Sequence, residues 1–398
     1  MKEVNINNLN QITNNINSLV EGLIKKRLYN NTFDKLRFLS IIRNGLLSED
    51  KNIRKVSTKL VRRLKLNNFV DYIRFLLNDE DPTIRAVSIL ALAQMRDIQS
   101  FDKIKELYLK DINAIKIAAL MYFGIIETQE SKEILIDALK NGNEELKENA
   151  FQGLTWHTKD QDFNLMKEFI LKELSNPNLV AKFIKSLTVV NKIEMIPFLE
   201  NLILKADVPD NVILSAIYVL SLKNINKYLL LAESILIKYF KEIQDLSKHL
   251  YFYQITADNL WEIKKIPLNE QYKISEIINN YFTYYKENEL KYVIRTIRNL
   301  NPIFHNLIIK IFNLEKLSID LKGELINFLA SKNIDKTLKV LLLEFLNDDD
   351  LYIRELTLFS LLSNNHIKST LAYIEEYLYK YEELHLKLII LAILYLNS

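Results

Sequence analysis

The sequence predicts an all-α fold: one elongated, right-handed α-solenoid of about ten to twelve stacked helix pairs. Three observations lead there: a repeat of 31 residues, apolar stripes at helical spacing inside each repeat, and a chain with only six Gly and six Pro in 398 residues. An average chain of this length would hold roughly 28 Gly and 20 Pro. Sandwiches and barrels need those residues at their turns, so sheet-rich folds are excluded.

The repeat is seen when SEDKNIRKVSTKLVRRL (48–64) is placed over DEDPTIRAVSILALAQM (79–95). Asp50 then meets Asp81, Ile53 meets Ile84, Arg54 meets Arg85, and Val56 meets Val87. The same step of 31 leads on to Lys116 and Lys147, and looser steps of 33 reach Val180 and Ile213. Near the end, Lys291, Lys322, Arg354 and His385 follow one another at 31, 32 and 31. Within a unit, NNFVDYIRFLLN (67–78) carries the apolar stripe of a first helix. The turn DEDP stops it, with Asp81 suited to an N-cap and Pro82 to a first helical position. The second helix then aligns Ile84, Val87, Ala91 and Met95 on one face. Neither helix can bury its stripe alone, so neighbouring units must stack. Pro177 and Pro209 fall in equivalent turns. Residues 1–19, rich in Asn, read as an N-terminal segment or cap, and residues 20–398 as a single solenoid. The register is lost between Ile213 and Lys291, so an insertion or an irregular unit is expected around 240–290, containing Trp261.

The D-x-x-(Ile/Val)-Arg turn followed by an apolar-Ala-x-x-Leu helix resembles the HEAT repeat, and the short unit resembles the bacterial HEAT-like repeats also found in phycobilin lyases. Residues 48–64, 79–95 and 347–363 carry the pattern most clearly; 109–125 and 141–157 carry it with Lys for Arg. The resemblance implies an armadillo-like superhelix used for protein–protein interaction. It also implies a structural ladder of Asp50, Arg54, Asp81, Arg85, Lys116, Lys147, Asp350 and Arg354, in which the basic residues pair with acidic turn residues of adjacent units.

Composition narrows the chemistry. With no Cys, thiolate metal sites and cysteine nucleophiles are excluded. The five His stand apart and form no metal-ligand pair, and no cofactor is expected. The N-terminus lacks an apolar signal core, and the greasiest stretch, Leu384 to Leu396, is too short for a membrane span. A cytoplasmic protein is expected. The 41 Asn and 41 Lys share AT-rich codons with Ile, Tyr and Phe, which points to genome composition and leaves the 12 Arg as the informative cations.

Nine of those arginines lie in the first 96 residues. Residues 21–65 hold 13 Lys/Arg against 4 Asp/Glu, whereas 341–385 hold 3 against 9. On the helix after Asp50 the residues off the core face include Lys59, Arg62 and Arg63. Together with Arg96 they form a candidate basic patch for a partner, with Trp156 and Trp261 as aromatic anchors. The reading is a non-enzymatic scaffold or adaptor whose groove binds a protein. The alternative is nucleic-acid binding by the basic patch. HEAT-like DNA glycosylases share the fold, but their catalytic Asp among aromatic residues and Arg cannot be placed here. The opposed charges of the two ends also suggest head-to-tail self-association.

Overall fold

A computed structural model describes residues 6–30, 33–157, 162–223 with parts of 225–235, then 287–297, 305–314, 316–330, 336–363 and 371–397. All regular structure among them is helical. Trp261 and the segment expected to be irregular lie outside the described residues.

The chain divides into two compact units, one of residues 1–161 with 365–398 and one of residues 162–364. The first unit begins with α1 (Ile6–Asn30). Helix pairs α2 (Lys35–Leu46) and α3 (Lys51–Arg63), α4 (Val70–Phe75) and α5 (Pro82–Gln94), α6 (Phe101–Lys110) and α7 (Asn113–Ile126), and α8 (Gln129–Asn141) and α9 (Glu144–Trp156) follow. The second unit holds α10 (Phe163–Lys172), α11 (Pro177–Ser186), α12 (Met195–Leu204), α13 (Asp210–Leu222), α14 (Glu287–Ile297), α15 (His305–Phe312), α16 (Ile319–Leu329), α17 (Lys336–Glu344) and α18 (Leu351–Leu362). The pair α19 (Leu371–Lys380) and α20 (Leu384–Leu396) belongs to the first unit.

Local chemistry explains why the second helices begin where they do. Asp50, Asp81 and Asp350 each turn the side chain onto a backbone N–H of the first turn, at 2.7 Å from Asn52, 2.7 Å from Thr83 and 2.8 Å from Tyr352. Such caps satisfy donors that have no partner within the helix. Pro82 and Pro177 open α5 and α11, where a missing N–H costs nothing. The repeat residues Arg54, Arg85, Lys116, Lys147, Val180, Ile213, Lys322 and Arg354 all fall on the fourth residue of a second helix. Lys291 and His385, which the sequence places in the same series, fall instead on the fifth residue of α14 and the second of α20, so the sequence register is the structural one from α3 to α13 and in α16 and α18.

In the first unit the second helices pack as a continuous row, α3 on α5, α5 on α7, α7 on α9. The last two are drawn closest, because a Cβ on Gly124 would stand 2.6 Å from the Cα of Gly153. No side chain larger than hydrogen fits there without moving a backbone. The core is continuous along the row, with Val56, Leu60, Ile89, Leu92, Leu120, Phe123 and Phe151 fully buried.

The row has a member on its other side that the chain order does not suggest. Helix α20 packs on α3, and also touches α1. Its residues Leu386 to Ile393, Lys387 apart, are fully buried. A helix apolar on every face has to be enclosed on every face, and the N-terminal helices help enclose this one. Tyr395 stacks on Phe38 with ring centroids 4.8 Å apart, and Arg27 approaches Glu375 at 3.9 Å. The expected solenoid with two separated ends is thus corrected: the two ends meet within one unit. Arg27 from the basic stretch and Glu375 from the acidic one face each other here within one chain. The boundary expected at residue 19 also falls inside α1, because Ile16 and Val20, four residues apart, are buried on one face of that helix.

Candidate partner-binding face

The basic ladder has partners, but not those expected. Arg54 donates from Nε and Nη2 to Asp79, at 2.7 and 3.1 Å, and from Nη1 to the carbonyls of Ser48 and Glu49. Arg85 repeats this on Asp111, at 2.9 and 2.8 Å, and on the carbonyls of Asp79 and Glu80. Lys322 reaches Asp348 at 2.7 Å. The bridging acid is therefore the one two residues before the N-cap in the next turn, where that unit has a cap of this type. Asp50, Asp81 and Asp350 are committed to their own helices instead. At the following step Gly142 occupies the turn, and Lys116 has no acidic partner among the described residues. Each two-pronged Arg–Asp contact ties one turn to the next and satisfies orphan carbonyls as well.

A second set of contacts joins the same units at the other end of the helices. Arg74 binds Asp97 with both prongs, and Ser100 Oγ donates to Asp97 Oδ2 at 2.6 Å. The hydroxyl of buried Tyr122 donates to the Asp97 carbonyl at 2.6 Å. Burial opposes ionisation of Asp97, but the bonds from Arg74 and Ser100 outweigh it and hold the carboxyl below the usual range. Arg85, by its hydrogen bond, does the same for Asp111.

These contacts use up much of the N-terminal arginine cluster. Arg27, Arg54, Arg74, Arg85 and Arg96 all face carboxylates, the last at 3.9 Å from Glu127. Arg62 is different. It is half-buried in the last turn of α3 and has no acidic partner among the described residues; burial and then the neighbouring charge of Arg63 push its pKa down. Its position at a helix C-terminus compensates in part, since the macrodipole favours cations there by about 0.3–1 kcal/mol. Arg63 is exposed beside it, and Lys59 is half-buried one turn earlier.

Lys65 and Arg96 follow the second helices in the left-handed region, at φ 54° and 53°, and Glu127 continues the series at 56°. These positions are 31 residues apart. After Lys65 and Arg96 the helix closes with Leu66 N–H to Val61 O and Asp97 N–H to Leu92 O, both at 3.0 Å, a geometry that usually takes glycine; after Glu127 the N–H of Thr128 goes to Ser131 Oγ instead. The spacing could have revealed these positions, but nothing in their residue types does.

Trp156 ends α9, with its ring packed over Gly124 and part of its surface open. The adjacent His157 is buried and bonds the carbonyl of Phe123 at 3.2 Å. That is a structural use of an imidazole. Among the described residues no three His, Cys, Asp or Glu side chains gather as a metal would need. No helix there is long and apolar enough to cross a membrane.

Along the row, the half-buried side of the second helices holds equivalent residues of each. Lys55, Ala86, Ile117 and Glu148 form one line of half-buried side chains, and Lys59, Leu90, Met121 and Gln152 the next. Both lines run at the 31-residue step. Sequence reasoning picked out Lys59, Arg62, Arg63 and Trp156 on this part of the molecule but missed the apolar residues between them. The helix α7 looked simply buried, because almost every residue in it is apolar.

A family model of HEAT repeats matches residues 71–155, which span α4 to α9 without the end of the last helix. No curated protein and no solved structure matches the chain.

Proposed function

The chain carries HEAT repeats, and from that premise we propose that it is a non-enzymatic scaffold that binds a protein partner on the open face of its second helices. One observation supports this above others. In the first unit the half-buried line of the second helices is apolar at its centre, at Leu90, Ile117 and Met121, and charged at its ends. Protein interfaces have that composition, whereas a phosphate-binding surface is basic throughout. Arg62, Arg63, Lys59 and Arg96 would supply the basic border and Trp156 an aromatic one. Trp261 stays a proposed anchor on sequence grounds alone. No cofactor is needed for such a role.

Nucleic-acid binding retains one favourable observation, the pair Arg62 and Arg63 without acidic partners. Against it, Arg27, Arg54, Arg74 and Arg85 are held by carboxylates, so fewer arginines remain for phosphate. The test is affinity purification of the tagged chain from the cells that make it, after chemical crosslinking. A protein partner whose recovery falls with Lys59→Glu and Arg62→Glu is expected. Recovery of nucleic acid alone, lost on raising salt and on the same exchanges, would replace the proposal. Release of a base from alkylated duplex would refute the non-enzymatic reading.

A further inference from the structure

Four helix ends of the first unit lie together, on the side away from the Asp50 turn. Helix α2 is joined to α3 by a short turn and runs back along it, and α1 packs on α2 in the same way. The C-termini of α1 and α3 therefore stand beside the N-terminus of α2. Tyr395, stacked on Phe38 and 5.7 Å from Phe33, brings the C-terminus of α20 to the same end. Large apolar side chains are exposed here. Tyr29 is 84% open and Leu36 81%, and Leu28 and Leu396 are open by half. One exposed Leu needs no explanation, but four such residues on one end do.

The same end is rich in cations. Lys25 is exposed and shares a face of α1 with Leu28 and Tyr29, at spacings of three and four. Lys35 and Arg37 stand in the first turn of α2, and Arg63 and Lys65 are exposed at the end of α3. Lys25, Arg63 and Lys65 have no acidic partner among the described residues. Asp34 and Glu375 are already matched by Lys26 and Arg27, and the one acid of α1 is Glu21. Helix dipoles favour cations at the C-termini of α1 and α3, but they disfavour the two that open α2. They give no reason for the exposed leucines.

We propose that this end seats the protein on an anionic lipid surface, with Tyr29 and Leu36 leading the entry of apolar side chains and Lys25, Arg63 and Lys65 meeting lipid phosphates. A bilayer surface suits this mixture, because apolar area sinks into the boundary of headgroups and acyl chains while the cations stay among the headgroups. A tyrosine ring is well placed at that depth. Nucleic acid would engage the cations and leave the leucines in water. The inference stands apart from the scaffold reading, since the residues tested below are not on the half-buried line of the second helices.

The whole protein is sedimented with vesicles of phosphatidylcholine alone and of equal parts phosphatidylcholine and phosphatidylserine. Binding to the second and not to the first is expected, weakened by salt. Lys25→Glu with Lys65→Glu should weaken it by about tenfold or more, because each exchange reverses a cation near the charged surface. Tyr29→Ser with Leu36→Ser should also weaken it by about tenfold, with every charge in place. All four side chains are exposed, so thermal melting should be unchanged in both variants. Lys172→Glu with Lys205→Glu, exposed in the second unit, makes the same change of net charge and should leave binding intact. Failure to bind the phosphatidylserine vesicles overturns the proposal, and so does equal loss in the second-unit variant. Binding indifferent to Tyr29→Ser with Leu36→Ser is attraction to any polyanion and overturns it too. So does a mass that grows with concentration and stops growing in Leu36→Ser, which would give this end to a second copy of the chain. A protein partner that copurifies equally with the Tyr29→Ser, Leu36→Ser chain keeps the scaffold reading whatever the vesicles show.

Discussion

Between α3 and α7 each joint from one turn to the next carries a two-pronged Arg–Asp contact, from Arg54 to Asp79 and from Arg85 to Asp111. Between α11 and α13, in the second unit, the same helix positions are Val180 and Ile213, and the polar links include an amide bond of 3.0 Å from Asn211 to Asn178 and one of 2.8 Å from Lys223 to Asn191. The second helices pack side by side in both places. Stacking is therefore the work of the apolar faces, and the ladder is an addition that one region has and the other lacks. Of the three segments that carry the family pattern most clearly, 79–95 lies inside the residues that the family model matches, and 48–64 and 347–363 lie outside them.

The largest effect should separate the two regions directly. Asp97→Ala would leave Arg74 with Asp71 alone and Ser100 Oγ without its acceptor, so urea unfolding of the first unit should shift by about 2 kcal/mol. Lys322→Ala removes a one-pronged bridge of similar exposure in the second unit, and because Asp348 keeps the backbone N–H of Asp350 it should cost only about 1 kcal/mol. Equal costs would mean that the ladder matters no more in one unit than in the other.

Gly153→Ala comes next. Its new methyl would press on Leu135 Cδ2 at 2.8 Å and on the Leu120 carbonyl at 3.3 Å, so the α7–α9 contact should loosen by about 1–3 kcal/mol. Thermal melting followed by circular dichroism reads this; an unchanged midpoint would show that Leu135 yields freely.

Acid should then distinguish the units. Asp81, Asp97 and Asp111 in the first unit have carboxyl pKa values held below the ordinary one, whereas among the described residues of the second unit Asp320 alone does. A folded pKa below the unfolded value of about 3.9 stabilises at higher pH, and that stability is lost as pH falls through the folded value. Below about pH 4 hydrogen exchange should quicken in α3 to α7 before it does in α16 and α18. The reverse order would assign acid sensitivity to other groups.

The smallest effect is a gain. Lys65→Gly and Arg96→Gly relieve a left-handed backbone that L side chains resist, and each should raise stability by about 0.5–1 kcal/mol. If Arg96→Gly instead destabilises, its approach to Glu127 outweighs the strain.

Much of this architecture was legible because a 31-residue step is a property of the backbone as well as of the sequence. Every second helix from α3 to α13 begins three residues before a position that the step identifies. The partners of the ladder were less legible. Two acids, Asp79 and Asp81, compete in one turn, and only geometry decides that the second caps its helix and the first receives Arg54. The apolar line of the second helices was missed for a related reason: Leu90 and Met121 have the residue types of a core, and their being only half-buried is a fact of packing and not of residue type. The joining of the ends did leave a trace, since Leu384 to Leu396 has no polar face to give to water. That stretch was read for its length against a membrane, when the useful question was what encloses it.

That enclosure sets an order of events. Helix α3 can complete its surroundings only when α20 exists, and the whole second unit is synthesised between them. Until then the flank of α3 that α20 will cover stays open to water. Contacts between residues so distant along the chain form late and slowly. The first unit, although it starts at the N-terminus, should therefore be the one that finishes folding last. A ribosome paused before Leu384 would hold a nascent chain with an exposed apolar seam, a substrate for chaperones.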